Sequence, residues 1–521
     1  MTETLTGTNR SAGVAYAQLL DGDSRATPEH LRRESVLDPG PTLVSVESYT
    51  SRAFHDLEVE KLWKKVWQMA CHEDDLPNVG DYVVYDVASL SFLIVRSAPD
   101  EFKAFYNACL HRGRLLRERS GQGAHELRCS FHGWCWNLDG SLKEIPCQWD
   151  FPEIEPADGR LPEVKLERWG GFIFINPDPD AEPLSAHLGD LPEHFTTLPY
   201  ERRYKEAHVA KILRCNWKAA QEAFMEAYHV LATHPQILGG IGDANSKYDA
   251  FQNYSRAISP NAVSSPHLEG MPDWEPLEDA SPRKMRHPLS GAIYARQDDG
   301  LIEVTSRVGE VGKFHDTGVW VEGELTQADI HMCSWVGGDV PAPVFRDMRR
   351  DARRDASDVS PQDSTAAARA ATAEAMRGLL RESLGDDVDS VSDAELVDSI
   401  YFTLFPNFHP WGAFNRIVYR FRPNGNNPDE SIMECMFFAP APKGEPRPPA
   451  APVHWLDPDD DWTEAPELGM LAKVFNQDTL NLPHVQRGLH AMRDGHVQFG
   501  NYGETKIRHF HQLLEQYLAA E

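Results

Sequence analysis

The sequence predicts an α+β protein of two folded domains, a small all-β domain followed by a larger domain of mixed helix and strand. Three observations carry that prediction. The 521 residues leave room for more than one core, at about 100 to 200 residues per domain. Hydrophobic residues at 41%, aromatics at 10% and charged residues at 25% are the balance of a chain that folds. Short β-rich runs broken by turn residues continue to about residue 180, and after Pro183 helical and strand-like segments are mixed.

Taken in order, residues 1–44 are rich in Thr, Ser, Gly and Pro without periodicity and read as an arm with no chemistry of its own. From about 47 to 70, Phe54, Leu57, Val59, Leu62, Trp63, Val66 and Trp67 recur at helical spacing and predict an amphipathic helix. The run DYVVYDVASLSFLIVRSAPDEFKAFYNACL, and the same texture as far as GGFIFINPDPD, predicts an all-β domain over 45–180. The second domain, 181–521, has a predicted amphipathic helix near 216 to 233 and strand-like runs such as RIVYRFRP and SIMECMFFAP. Within it, 346–396 is charged and then Ala-rich, and reads as an inserted helix pair facing solvent. No internal repeat is present.

Lys+Arg 51 against Asp+Glu 80 gives a net charge of -29, which argues against binding nucleic acid or an anionic membrane surface. No apolar run approaches the roughly 20 residues that span a bilayer, and the first twenty residues lack the basic-then-apolar pattern of a secretory signal. A cytoplasmic protein is the expectation. Its eight cysteines are too sparse for a disulfide framework, so clustered ones point to metal.

NACLHRGRLLRERSGQGAHELRCSFHGWCWN holds such a cluster, a Cys-x-His pair at Cys109 and His111 and a Cys-x2-His pair at Cys129 and His132. Gly113, Gly121, Gly123 and Gly133 supply the bends. Zinc fingers put Cys with Cys on one knuckle and His with His on a helix, whereas each loop here carries one of each. That suits a two-iron cluster with thiolates on one iron and imidazoles on the other. At these residues the sequence resembles the Rieske [2Fe-2S] domain, matching its Cys-x-His and Cys-x2-His-Gly-Trp boxes. The resemblance implies that Cys109 and Cys129 hold one iron and His111 and His132 the other, with Gly133 and Trp134 shielding the cluster edge. Cys135 and Cys147 lie outside the pattern and read as small buried side chains.

A second constellation lies in CNWKAAQEAFMEAYHVLATHPQ. Trp217, Ala220, Phe224 and Leu231 mark an apolar face, and Glu222, Glu226 and His229 fall on one stripe at i, i+4 and i+7. Asn216 is a candidate N-cap, and Pro235 ends the helix at His234. Residues five apart on a regular helix point about 140° apart, so His229 and His234 meet only if the helix breaks or distorts between them. Two His and one carboxylate bind oxygen-activating Fe(II). Spacing alone leaves that carboxylate open, with Glu222 and Glu226 among the candidates.

From about residue 47 onward the chain resembles the large, oxygenase subunit of Rieske non-haem iron ring-hydroxylating oxygenases. The Asn-Trp-Lys lead and the acid-x2-His-x4-His box match at Asn216, Trp217, Lys218, Glu226, His229 and His234. FNQDTLNLPHVQRG matches the carboxylate box at Asp478, Asn481, Arg487 and Gly488, and ETKIRHFHQLLEQYL the closing helix. The resemblance implies a helix-grip, START-like α+β catalytic domain, with His229, His234 and Asp478 on a mononuclear Fe(II). It also implies that Glu226 bridges the cluster histidine of one subunit to the iron histidine of the next. Glu stands there where the family usually has Asp, as in the relatives that oxidise quaternary amines. Ala223 follows Glu222 where many relatives have Asn, and the 346–396 insertion lengthens the path from His234 to Asp478.

The implied function is a terminal oxygenase that uses electrons from NAD(P)H, through a separate reductase and in some systems a ferredoxin. It would activate O2 and cis-dihydroxylate or hydroxylate an aromatic or polycyclic substrate, as a homotrimer with or without a small β subunit. The sequence has no dinucleotide-binding Gly-x-Gly-x-x-Gly. The rivals are a monooxygenase or demethylase acting on an amine or methyl ether, a Rieske electron carrier fused to a ligand-binding domain, and a zinc-stabilised module. Phe405, Phe408, His409, Trp411 and Phe414 read first as core and second as the lining of an aromatic site.

Overall fold

The computed structural model describes residues 15–35, 38–155, 159–339, 361–442, 444 and 446–520. Its first sheet has six antiparallel strands in the order Gln68–His72, Phe172–Asn176, Glu163–Trp169, Glu101–Tyr106, Leu90–Ala98, Tyr82–Val87. Alternation along a strand sends neighbours to opposite faces, and here both faces are covered. Phe92 and Ile94 join one core, whereas Leu93 and Val95 join another with Cys109, Cys129, Trp134 and Trp136. A three-stranded sheet, Leu127–Arg128, Cys135–Trp136 and Leu142–Glu144, carries the second Cys/His loop.

Eight strands form the second sheet, in the order Lys247–Ala250, Tyr254–Ser259, Ser399–Leu404, Phe408–Gly412, Ile417–Pro423, Ser431–Pro440, Arg203–Leu213, His454–Leu456. The helices that bear on the argument are α1 (Tyr16–Asp21), α2 (Arg52–Glu58), α3 (Trp217–Glu222), α4 (Val230–Thr233), α5 (Ile330–Gly337), α6 (Pro361–Leu384), α7 (Leu471–Ala491) and α8 (Thr505–Ala519). One face of the sheet grips α7: Val209, Tyr419, Phe421, Met433 and Cys435 pack with Ala472, Phe475 and Leu482. The strand-like runs at 417–423 and 431–440 and the closing helix α8 lie where the sequence predicts them. A separate five-stranded meander, Lys284–Arg286 to Trp320–Gly323, leads into α5. No helix among the described residues is long and apolar enough to cross a membrane.

Buried ion pairs join the two sheets' domains. Lys218 on α3 donates to Glu58 on α2 at 2.6 Å with both side chains sealed from solvent. Glu434 pairs with Arg420 at 2.6 Å, and Arg420 reaches across to the carbonyl of Met69 at 3.0 Å.

Several sequence expectations are corrected. The predicted helix at 47–70 is a helical turn Glu47–Thr50, then α2, then a π-helical turn Val59–Trp63, after which Gln68–His72 is a wholly buried strand. Strand pairing to Phe172–Asn176 overrides the helical periodicity, and Leu57 is exposed. The helix predicted at 216–233 is two short ones, α3 and α4, with Ala223–His229 non-helical between them. Cys147 is exposed at a left-handed φ of 57°.

The arm and the insertion also differ from expectation. From residue 15 the arm docks on the catalytic domain: Tyr16 donates to Asp398 at 2.9 Å, and Ser24 to Asp393 at 2.8 Å. Both carboxylates belong to the insertion or its flank, and α6 turns buried arginines onto them. Arg369 binds Asp398 at 2.6 and 2.9 Å, and Arg377 binds Asp393 at 2.7 Å. The 346–396 segment is therefore not a wholly solvated excursion, because one face of α6 covers the arm's partners; its first part, up to residue 360, lies outside the described residues, as do residues 1–14.

Arg369→Met would leave the Asp398 carboxylate buried without its cation. A loss of about 3–5 kcal/mol in urea unfolding is expected, together with faster proteolysis of the arm.

Candidate metal centres

The two Cys/His loops repeat one backbone pattern. Cys109 N–H donates to Arg114 O and Gly113 N–H to Cys109 O, at 2.8 and 2.9 Å; Cys129 N–H donates to Trp134 O and Gly133 N–H to Cys129 O, at 2.8 and 3.1 Å. Gly113 and Gly133 sit at the same place in each loop with φ of 73° and 82°, where a Cβ is disfavoured. The loops aim buried Cys109 and Cys129 at one another and bring the His111 and His132 rings to 4.5 Å at the outer tip. Burial and the hydrogen-bonded Cys129 raise the Cys109 thiol. His111 lies flat on Trp134 at 5.2 Å, and its Nδ1 is buried without a hydrogen-bond partner.

This donor set fits a two-iron cluster, with sulfur inside, imidazole outside and a ring nitrogen that no protein group satisfies. A single tetrahedral zinc would gather its ligand atoms about 3.5 Å apart. Among the described residues, three or more candidate ligand atoms come within 4.8 Å of one another only at the second centre, among His229, His234 and Asp478.

The second centre is built by the interruption of a helix. Asn216 caps α3, accepting from Lys218 N–H at 3.0 Å. After Glu222 the chain leaves the helix, and Glu226 Oε2 accepts from the backbone N–H groups of Tyr228 and His229, the latter at 3.0 Å. That bend places His229 and His234 as the residues flanking α4, both outside it, with ring centroids 5.2 Å apart. Asp478 Oδ1, on α7, lies 2.8 Å from His234 Nε2 and 3.6 Å from His229 Nε2.

Each ring is turned by a partner on its far side. His229 Nδ1 lies 2.6 Å from Glu226 Oε1, and His234 Nδ1 lies 2.8 Å from Gln477 Oε1. With Nδ1–H donating in both, each ring turns its Nε2 toward Asp478. Burial opposes charging His229, but Glu226 and Asp478 outweigh it and raise its pKa to about 9. The site accordingly favours positive charge. Gln477 was not expected from the sequence, and its only signal is that it precedes the carboxylate in α7.

Other expected residues stand elsewhere. Glu222 bonds Tyr49 OH at 2.9 Å and His511 at 2.8 Å instead of joining the triad. It shares a cavity of about 590 Å³ with Glu226, His229, Asp478 and Glu504. Asn481 donates to Thr233 at 3.3 Å, while Arg487 and Gly488 are exposed. Of the aromatic group, Phe405 packs on Phe510 and Tyr517, Phe408 on Phe172, and Phe414 beside the insertion. His409 is held by Gln221 and Thr403. Trp411 packs against the cluster that holds Phe224, Tyr419, Phe421 and Phe475, and His409 meets Phe421 edge-on at 5.2 Å; Tyr419 is close enough to Asp478 to feel its charge.

Residues 66–155 match the family model described as the Rieske [2Fe-2S] domain. Residues 196–296 and 339–520, more than half of the chain, match the ring hydroxylating alpha subunit (catalytic domain). The carnitine monooxygenase oxygenase subunit of Escherichia coli (strain K12) is 30% identical over 189 residues, 36% of this chain and 50% of its own. The biphenyl 2,3-dioxygenase subunit alpha of Rhodococcus jostii is 30% identical over 203 residues, 37% of this chain and 44% of its own. The chain thus aligns with about half the length of these relatives or less. Among solved structures, naphthalene 1,2-dioxygenase from Rhodococcus sp. superposes with a TM-score of 0.54 at 17% identity, over 92% of this chain and 95% of its own. A quaternary ammonium Rieske monooxygenase does so at 0.52 and 16%, over 93% and 99%. At such identity the likeness is one of fold.

In metal-free protein, His229 carries a proton at neutral pH that a bound cation must displace. Metal uptake at pH 7.5 is expected to release about one proton per site, read with a pH indicator, and Glu226→Gln should reduce that release. The stability tied to this proton is complete below the unfolded value of about 6.5 and is lost as pH rises through about 9. Thermal melts of metal-free protein at pH 6, 8 and 10 check the sign.

Proposed function

The chain belongs to the ring-hydroxylating oxygenase alpha-subunit family, with a Rieske [2Fe-2S] domain ahead of a catalytic domain that binds mononuclear iron, and on that premise we propose that it hydroxylates an aromatic substrate at His229, His234 and Asp478. The observation that carries the reading is the convergence of these three ligand atoms within 4.8 Å, with Glu226 on the far nitrogen of His229. In this reading Cys109, Cys129, His111 and His132 hold the cluster. When bound, the cluster supplies single electrons and the ferrous ion supplies the place where O2 is activated.

The chain's own residues do the rest. His229, His234 and Asp478 would hold the ferrous ion, and two histidines with one carboxylate would leave it room to take O2. Glu226 and Gln477 hold the Nδ1 protons and fix both ring planes, as outer partners of metal ligands do. Phe224, Tyr419 and Phe475 belong to one apolar cluster with Trp411 packed against it, and since Tyr419 is close enough to Asp478 to feel its charge, this cluster is the proposed apolar wall of the site.

Glu226 is also the proposed bridge between subunits. A carboxylate has about four lone-pair directions. His229 Nδ1 and the two backbone donors use three, leaving one for an imidazole such as His132 of the partner subunit. Exposed apolar side chains stand at each end, Leu110, Leu115 and Phe131 near the cluster loops and Tyr228 beside Glu226. Two different patches that fit one another build a closed ring, and we propose a homotrimer fed by a reductase or ferredoxin. A second reading, oxidation of a quaternary amine, is favoured by Glu226 itself and by the carnitine and choline monooxygenases among the relatives.

About three irons and two acid-labile sulfides per chain are expected; two irons would mark an electron carrier, and zinc without sulfide a structural module. Asp478→Ala should lose one iron and all product while the cluster stays reducible. Glu226→Gln should keep both centres yet slow single-turnover transfer from the reduced cluster at least about tenfold. Mass spectrometry with labelled O2 on aromatic and quaternary amine substrates separates the two readings.

A further inference from the structure

Gln477 ties a second element to the proposed iron site. Its Nε2 donates to the carbonyl of His331 at 2.9 Å, while its Oε1 accepts from His234. One amide therefore holds both a metal-site histidine and α5. That helix is fixed at its start by Asp329, which accepts from Met332 N–H at 2.9 Å. It lies in residues 297–338, between the two stretches that match the catalytic-domain family.

The His331 side chain is 8% exposed, and its Nδ1 is buried with no hydrogen-bond partner. The ring is close enough to His229, His234 and Asp478 to feel the charge of all three, yet it stands outside the group of ligand atoms within 4.8 Å. An imidazole nitrogen left unpaired in a buried site is unfavourable, and a molecule arriving beside the triad can supply the missing partner. The apolar walls described above cannot orient a flat ring about its own axis, whereas one directional hydrogen bond can.

We propose that His331 is a specificity-determining residue whose free ring nitrogen hydrogen-bonds an oxygen substituent of the substrate, a hydroxyl, carbonyl or carboxylate, and so selects which carbon faces the iron. This rests on the reading of His229, His234 and Asp478 as the iron site of an oxygenase. It narrows the substrate from any aromatic to one bearing an oxygen function.

The test uses the holoenzyme and three probes that share one ring, toluene, phenol and benzoate. Binding is read from the change each makes in the electron paramagnetic resonance signal of the nitric oxide complex of the mononuclear iron. In the wild type, phenol or benzoate should bind at least about tenfold more tightly than toluene, and which of the two wins tells a neutral oxygen from a charged one. His331→Leu should erase the preference and His331→Asn retain part of it, both with unchanged iron content. An undiminished preference in His331→Leu overturns the inference. So does a wild type that does not discriminate, a wild type whose signal neither oxygenated probe alters, or loss of iron from both variants. A wild type without mononuclear iron overturns the oxygenase reading itself, and with it this inference.

Discussion

Two histidines five residues apart cannot share a ligand while both are in a regular helix, so the proposed iron site depends on the chain leaving the helix after Glu222. Glu226 enforces the departure. Its carboxylate accepts from the backbone donors of Tyr228 and His229 and at the same time accepts a hydrogen bond from the ring of His229. One side chain therefore sets the backbone bend, the ring plane and the charge that faces the metal. The same bend lets His229 and His234 close on Asp478, which arrives on a helix clamped by the eight-stranded sheet. A glutamate reaches these donors with one methylene more than the aspartate usual at this place.

The legibility of the site in the sequence follows the range of the interactions that make it. The cluster quartet occupies only 24 residues from Cys109 to His132, and alternating Cys and His on two glycine-bent loops is a local signal. His229 and His234 were visible as a pair whose spacing demands a break, but the periodicity of Trp217, Ala220, Phe224 and Leu231 put that break between them, whereas the chain leaves the helix before His229 and is helical over Val230–Thr233. Asp478 was accessible only through resemblance, because nothing near it in sequence distinguishes it from other acids. Gln477 and His331 carry no local pattern; their roles come from contacts across 243 and 146 positions.

The arm finds its buried partners in the 346–396 segment and its flank. Composition marked residues 1–44 and 346–396 as solvated, since each alone is too polar to form a core. Together they bury Tyr16, Asp393, Asp398, Arg369 and Arg377 as charge-paired and hydrogen-bonded partners. Burial of a charge is tolerable only when its partner is buried with it, so neither segment could be understood before the other was seen beside it.

The strand Leu90–Ala98, covered on both sides, bears on how separable the cluster is from the oxygen-activating centre. Phe92 and Ile94 share their core with Trp217, Phe510 and Leu513 from far beyond residue 180, and Glu58 is sealed against Lys218. A fragment cut at the composition boundary would uncover part of that core and leave Glu58 without Lys218. The molecule is two domains by texture, yet they share one buried core and a sealed ion pair. The geometry of the cluster domain toward the rest of the subunit is fixed by the folding of the whole chain.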